Sequence, residues 1–496
     1  LVTTVTIDNK WTTIESSNND ILDIADEASR YVQHDWERAR TGWLNRLQHE
    51  KRTSSREYQD ALSWDGTRPI GIRRGNVHMI PTGCTTKFIT ACAFSGFTQM
   101  NIINRRTQHN TLKHVDWKLK PHKIPRPYQI NAVDAFIDSS RRGIIKSPTG
   151  SGKSYMMAML ISQLKTTTLI KVPKIVLLKQ LRKEILDSLH MDDNEIGTIG
   201  GGSYDPSTIT ITTTDSLSNI FDDKQRWNDL MTLHARFGWG LLIEDECHRA
   251  ATDTSYKTTM GLDIYNKVGF SATPLNRSDN KDIMTIGAYG EILYEIDASV
   301  LVENKFLIRP KVTFIPLRPV PLPNRTPWNQ VYNTAIVFNG ERNEKIIEIA
   351  RRLENEGRHT LIFVDRLDHG DQLHALTANT NNPIPFIHGE ADDREEVIDF
   401  FKDGTYPTII ATTGIIGEGF NYPGLNAIII GDGKKSFIKI MQQSGRGSRI
   451  FEDKTDLVIY DFGDRAQYIT DHARQRISTW RQAKFDVDLS QTPYLM

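Results

Sequence analysis

The sequence predicts two successive parallel α/β lobes behind a smaller α+β module. From residue 127 onward short apolar runs alternate with helical stretches, the pattern of a parallel sheet with crossover helices. The series restarts after about Tyr294, and before the two prolines of His122–Pro127 it is absent. The expected domains are residues 1–120, 121–300 and 301–496.

In the first domain, Ile21 to Arg56 reads as helical, with Ile21, Ile24, Ala28, Val32 and Trp36 at helical spacing. Gly71–Ile80 and Lys87–Phe94 read as short strands broken by glycine and proline. The whole chain balances 61 basic against 61 acidic residues, yet Arg38 to Lys123 holds 16 Lys/Arg against five acids, a local +11. A solvated face and a surface for a nucleic-acid backbone both fit that excess. In the second domain, Gly143–Lys146, Thr168–Val172, Thr208–Thr212 and Gly240–Ile243 read as strands. In the third, Thr360–Val364, Thr408–Ala411, Ala427–Ile430 and Asp456–Tyr460 do the same.

Composition narrows the class. With 496 residues, 38% hydrophobic and 25% charged, the chain reads as soluble and globular. No run of ~18 apolar residues predicts a membrane span, and the stretch opening at Leu1 does not read as a secretory signal. Three cysteines without a C-x-x-C argue against a disulfide or zinc framework and fit a reducing cytoplasm. His34, His49 and His78 show no metal spacing.

Ser147-Pro148-Thr149-Gly150-Ser151-Gly152-Lys153-Ser154 follows a predicted strand and opens a Met- and Ala-rich stretch that reads as a helix. That is the context of a P-loop. Gly150 and Gly152 let the backbone curl, so amides from Thr149 to Ser154 can face phosphate oxygens. Lys153 is expected to neutralise the β- and γ-phosphates of ATP, and Ser154 to ligate Mg²⁺. The first position is Ser147 where the pattern has glycine. Downstream, the apolar strand Leu241–Ile243 ends in Glu244-Asp245-Glu246. A hard cation needs oxygen ligands, so Asp245 is the expected Mg²⁺ holder and Glu246 the group that orients the attacking water.

With these residues in view, the sequence resembles the superfamily-2 helicases. Asp245-Glu246-Cys247-His248 is similar to their DExH box and Ser271-Ala272-Thr273 to their S-A-T motif. Arg126-Pro127-Tyr128-Gln129 resembles the R-P-Y-Q motif, which makes Gln129 the reader of the adenine edge. Lys171-Val172-Pro173-Lys174, Gly200-Gly201-Gly202 and Thr212-Thr213-Thr214 resemble the backbone-contacting motifs of the first lobe. Leu361–Val364 resembles motif IV, Ala411-Thr412-Thr413 through Gly419 resembles motif V, and Gln442-Gln443-Ser444-Gly445-Arg446-Gly447-Ser448-Arg449 matches Q-x-x-G-R-x-x-R.

The resemblance implies two tandem RecA-like lobes that use ATP and Mg²⁺. It makes Arg446 and Arg449 catalytic groups at the γ-phosphate, and Gln442, which heads their motif, a catalytic residue. It puts Gly419 near the nucleotide, and gives His248 and Thr273 the coupling of closure to DNA contact. Lys174, Gly201, Thr213 and Thr412 become contacts to the nucleic-acid backbone, and Arg73 and Arg74 of the basic module join them. Trp64-Asp65-Gly66, Arg73-Arg74-Gly75-Asn76 and Pro81-Thr82-Gly83 are also similar to the first module of UvsW-type phage recombination helicases, with RecG and XPB types more distant. That implies branched duplex DNA as substrate (four-way junctions, forks and D-loops), other recombination or replication proteins as partners, and a bacterial host cytoplasm as the setting. Trp64 reads first as a core residue and second as a base-stacking one. Arg474, Arg476 and Arg481 lie in a C-terminal helix and read first as a cap on the second lobe and second as DNA contacts. An RNA helicase, an ATP-switched non-catalytic clamp and a restriction-system motor are the alternative readings.

Overall fold

The computed structural model describes residues 2–108, 116–148, 150–277, 279–304, 308–389, 391, 393–412, 422, 424–434, 456–482 and 485–496. It falls into two units: Leu1–Ser147 with Gly152–Ile296, and Asp297–Met496 with Pro148–Ser151.

The first unit opens with β1 (Thr3–Ile7), β2 (Trp11–Glu15), α1 (Asn19–Ala28), β3 (Arg30–Val32), α2 (Trp36–His49), α3 (Arg56–Ser63), β4 (Thr67–Pro69), β5 (Ile72–Arg74), β6 (Val77–Pro81), α4 (Thr85–Phe94) and β7 (Met100–Asn104). The order β5-β6-β2-β1-β7 makes one sheet, and β3 and β4 pair apart from it as a ribbon. Val5, Ile14, Leu22, Phe88 and Cys92 build a core between sheet and helices.

Two expectations fail here. Lys87–Phe94 is helix: Thr85, Phe88 and Cys92 are buried at helical spacing, and packing against α1 overrides the β-branched composition. Ile21 to Arg56 is not one helix. Strand pairing of Arg30–Val32 with Thr67–Pro69 interrupts it, and Asp35 takes a left-handed conformation before α2 starts.

The same unit continues with α5 (Pro127–Asp138), β8 (Arg142–Lys146), α6 (Lys153–Leu164), β9 (Thr168–Val172), α7 (Ile175–Ser188), β10 (Ile196–Gly200), β11 (Ser203–Asp205), β12 (Ile209–Thr213), α8 (Thr214–Asp222), α9 (Lys224–Phe237), β13 (Leu241–Asp245), α10 (Asp253–Gly261), β14 (Asn266–Ser271), α11 (Asp282–Tyr289) and β15 (Ile292–Glu295). The sheet runs β11-β10-β12-β9-β13-β14-β8-β15 and is parallel except for β11. Its central strands are buried on both faces, as a helix-covered parallel sheet requires.

This sheet and the small module share apolar packing. Trp11, Tyr31 and Ile70 of the module pack on the core around Leu169, Leu242 and Tyr289. Ile283 of α11 joins the module's own core. Arg142 on β8 donates to Asn9 O in the module and, at 2.7 Å, to Ala288 O.

The second unit comprises α12 (Ala298–Glu303), β16 (Lys311–Pro319), α13 (Trp328–Tyr332), α14 (Gly340–Asn355), β17 (Thr360–Val364), α15 (Leu367–Ala378), β18 (Phe386–Ile387), α16 (Arg394–Asp403), β19 (Thr408–Thr412), β20 (Ala427–Ile430), β21 (Val458–Arg465), α17 (Ile469–Gln482) and β22 (Asp486–Asp488). Its strands lie parallel in the order β18-β19-β17-β20-β21-β16-β22. Arg476 of α17 is fully buried, 2.8 Å from Asp461, and so belongs to the packing of this unit. Among the described residues no helix is long and apolar enough to cross a membrane.

Candidate active site

The site sits where parallel β-strands end, as ligand sites of open α/β sheets do. Pro148, Gly150 and Ser151 lie between β8 and α6, and the Ser151 hydroxyl donates to Pro148 O at 2.7 Å. Gly152 (φ +81°) opens α6, and a Cβ there would stand 2.4 Å from Gln129 Nε2. Only glycine lets this amide approach so closely. Gln129 is held from its other end, where Oε1 accepts from Arg126 N at 2.9 Å. The R-P-Y-Q motif therefore touches the first turn of α6.

Strand alternation then sorts the three acids. Glu244 and Asp245 point to opposite faces of the sheet. Asp245 lies 3.7 Å and Glu246 2.8 Å from Lys153 Nζ. Glu246 breaks from the strand in a left-handed conformation, φ 54°. Its second oxygen accepts from Ser271 Oγ at 3.2 Å, and His248 Nδ1 is 3.0 Å from the same hydroxyl. Thr273 N also donates to Ser271 Oγ, at 3.1 Å. One arrangement satisfies all three: Nδ1–H and Thr273 N–H donate to the serine, which donates to Glu246. Arg277 fixes the next turn, with Nη1 donating to His248 O at 2.8 Å and an ion pair to Asp279 at 2.7 Å.

Burial raises the Asp245 carboxyl to about 6, against the pull of Lys153. Burial pushes Glu246 in the same direction, but Lys153 and the neighbouring His248, 3.4 Å away, outweigh it and hold it at about 2. For Lys153 burial works against the charge, and the two carboxylates more than restore it. The result is a cation clamped by carboxylates, with Asp245 Oδ1 buried and without a hydrogen-bond partner among the described residues.

Other expected residues are scattered. Lys174 precedes α7, Gly201 lies between β10 and β11, and Thr412 ends β19. The Thr213 hydroxyl caps α8, accepting from Ser216 N at 3.1 Å. Arg73 pairs with Asp23, while Arg74 is exposed. Ser154 lies in the first turn of α6. Thr149, Gly419, Gln442, Arg446 and Arg449 lie outside the described residues.

Lys171, which opens the motif ending at Lys174, does not reach the surface. It is fully buried on β9 and paired with Glu244 at 3.0 Å, because β9 is a central strand and this face is covered by α10. Ser271 is the hub that residue-type reasoning passed over; its S-A-T motif was the available signal. Arg277 carried no motif signal.

Residues 122–276 match the family described as type III restriction enzyme, res subunit, and residues 341–451 match the helicase conserved C-terminal domain. A putative DNA 3′-5′ helicase Rad25 of Halobacterium salinarum is 27% identical over 372 residues, covering 72% of this chain and 57% of that protein. The ATP-dependent DNA helicase uvsW of Enterobacteria phage T4 is 24% identical over 394 residues, covering 73% of this chain and 76% of that one. Among solved structures, the Pyrococcus furiosus Hef helicase domain aligns with a TM-score of 0.50 and 13% identity, over 71% of this chain and 98% of that domain, a likeness of fold.

Proposed function

Because this chain belongs to the superfamily-2 helicases, we propose that it is an ATP-driven DNA translocase acting on branched duplex DNA. The observation that carries the reading is the clamp of Lys153 by Glu246 and Asp245 beside the glycine-opened turn of α6.

The residues fit a magnesium nucleotide. Asp245 Oδ1, buried and without a hydrogen bond among the described residues, is a hard ligand, and Ser154 supplies the hydroxyl a P-loop contributes. Bound Mg²⁺ would supply positive charge to the phosphate oxygens. Lys153 exchanges its carboxylate partners for phosphate. Glu246 is then free to orient water. Ser271 and His248 hold it in direction. The resemblance assigns Arg446 and Arg449 to the γ-phosphate and makes Gln442 of the same motif a catalytic residue.

Backbone contacts through Lys174, Gly201, Thr213, Thr412, Arg73 and Arg74 would make movement largely independent of sequence. Branched DNA as the substrate, with a phage recombination setting in a host cytoplasm and recombination or replication proteins as partners, rests on the likeness of the small module to UvsW-type helicases.

The test compares ATP hydrolysis by the wild type and Glu246→Gln with no nucleic acid, single-stranded RNA, linear duplex DNA and a four-way junction. The expected result is strongest stimulation by the junction and silence of the variant. Stimulation by RNA alone would move the substrate to RNA. A wild type that binds ATP but hydrolyses none would make the chain a nucleotide-gated binder.

A further inference from the structure

The α2–α3 hairpin stands apart from the nucleotide site. Its stalk is the β3–β4 ribbon, which pairs Val32 with Thr67 and Tyr31 with Arg68. Gln33 N donates to Gly66 O at 2.8 Å and closes the ribbon. Beyond that point the two helices pack on a small core of their own. Leu47 and Ala61 are buried in it, and the Trp64 ring lies 6.4 Å from Trp36 and 6.2 Å from Trp43, both edge-on. Gly66 (φ +87°) admits Trp36, since a Cβ would fall 2.3 Å from the indole. Trp43 Nε1 donates to Glu57 at 3.2 Å and Trp64 Nε1 to Thr67 O at 2.9 Å, so the tryptophans are committed to the hairpin.

Charge is segregated along it. Residues 46–57, the tip, carry four Lys/Arg against two Glu; residues 35–45 and 58–65, the base, carry two Arg against four acids. At the tip the two glutamates are already paired, Arg52 lying 2.7 Å from Glu57 and 3.4 Å from Glu50. Lys51 and Arg56 are exposed, and among the described residues no carboxylate pairs with either. Thr53 and Ser54 add exposed hydroxyls between them.

The root of the stalk lies against the loop that follows the S-A-T motif. Asn280 Nδ2 donates to Val32 O at 3.2 Å, and Lys281 Nζ lies 5.9 Å from the Tyr31 ring. That loop is the one Arg277 ties to His248.

We propose that residues 33–66 form a gripping arm whose tip, Lys51 through Arg56, binds the phosphate backbone of duplex DNA. The inference rests on the reading of the chain as a DNA motor and names a contact beyond Arg73 and Arg74. A backbone of phosphates requires cations and hydroxyl donors, which the tip has. A protein partner would need an apolar or aromatic anchor, and the arm's tryptophans are turned to its own core. Contact with the loop after the S-A-T motif gives the arm a route by which nucleotide state can move it.

Two variants test this. One is Lys51→Glu with Arg56→Glu; the other replaces residues 34–65 by Asn-Gly, which the Gln33–Gly66 closure permits. Affinity for a four-way junction and for linear duplex is measured across a salt series, beside ATP hydrolysis without DNA. In the double variant DNA-free hydrolysis should be unchanged. Junction affinity should fall about tenfold or more, and the salt slope should lessen by about 2. The armless chain should show the same loss. If the wild type binds and is stimulated by DNA while both variants match it, the arm is not a DNA contact and the motor reading stands; the tip then serves another partner, such as an acidic protein. If the wild type binds no DNA at any salt concentration, the motor reading falls and takes the arm with it.

Discussion

Lys171 and Glu244 face each other directly across β9 and β13, fully buried, with Nζ 3.0 Å from Oε1. Ser255 and Thr259 of α10 each accept from the same ammonium at 2.9 Å, and Tyr289 of α11 donates to Glu244. The pair therefore binds two motif-bearing strands to the helices beneath them. Lys171→Met alone leaves a buried carboxylate unbalanced and should cost about 3–5 kcal/mol. Lys171→Met with Glu244→Leu removes both charges and should recover most of that. Urea denaturation of the three proteins checks the order; equal losses for single and double variants would show that the charges do not compensate each other.

Ser271 gathers Glu246, His248 and Thr273 on one hydroxyl. Ser271→Ala should leave the fold and ATP affinity nearly intact but let Glu246 drift. Hydrogen bonds to charged groups are worth about 1.5–3 kcal/mol, so kcat should drop roughly ten- to a hundredfold at little-changed KM. A change confined to KM would place the serine's role in binding.

Gly152 and Gln129 share one small volume. Gly152→Ala forces an L-residue into φ +81° and drives its methyl into the amide, so ATP affinity should fall at least about tenfold with circular dichroism unchanged. Gln129→Ala empties the space at the cost of its own proposed adenine contact, so the double variant should lose less affinity than the two single losses combined. Additive losses would mean that the clash with Gln129 plays no part and the backbone strain decides.

Asp432 in the second unit is fully buried, and burial lifts its carboxyl to about 7 against the pull of Arg476. The folded pKa lies above the unfolded value near 4, so the folded state holds the extra proton between them. Stability should decline as pH rises from about 4 to 7 and level off above 7. Asp432→Asn should remove this slope and raise the melting temperature at pH 8 by several °C relative to wild type, while changing it little at pH 4. Parallel melting curves at both pH values would contradict it.

The lobes could be read from the sequence because a parallel strand buried on both faces is a run of apolar residues ended by glycine or acid. The P-loop and the acid cluster were visible for the same reason: their chemistry sits in consecutive residues at strand ends. What was not visible depends on partners distant in sequence. The pairing of Lys171 with Glu244 could not be read, because only sheet order brings the two opposite. Ile21 to Arg56 looked like one helix because Arg30–Val32 finds its strand partner 35 or more residues later. Thr85–Phe94 carried β-branched residues into a helix whose burial pattern is set by α1.

The shared packing between the small module and the first sheet decides where the chain can be cut. The matched helicase segment starts at residue 122, yet Arg142 is anchored on Asn9 O and Ile283 completes the module's core. A chain cut at that border would release a lobe with an uncovered apolar face and a guanidinium that has lost one of its two acceptors. The small module and the first lobe are thus one packing unit rather than two parts separable at residue 122.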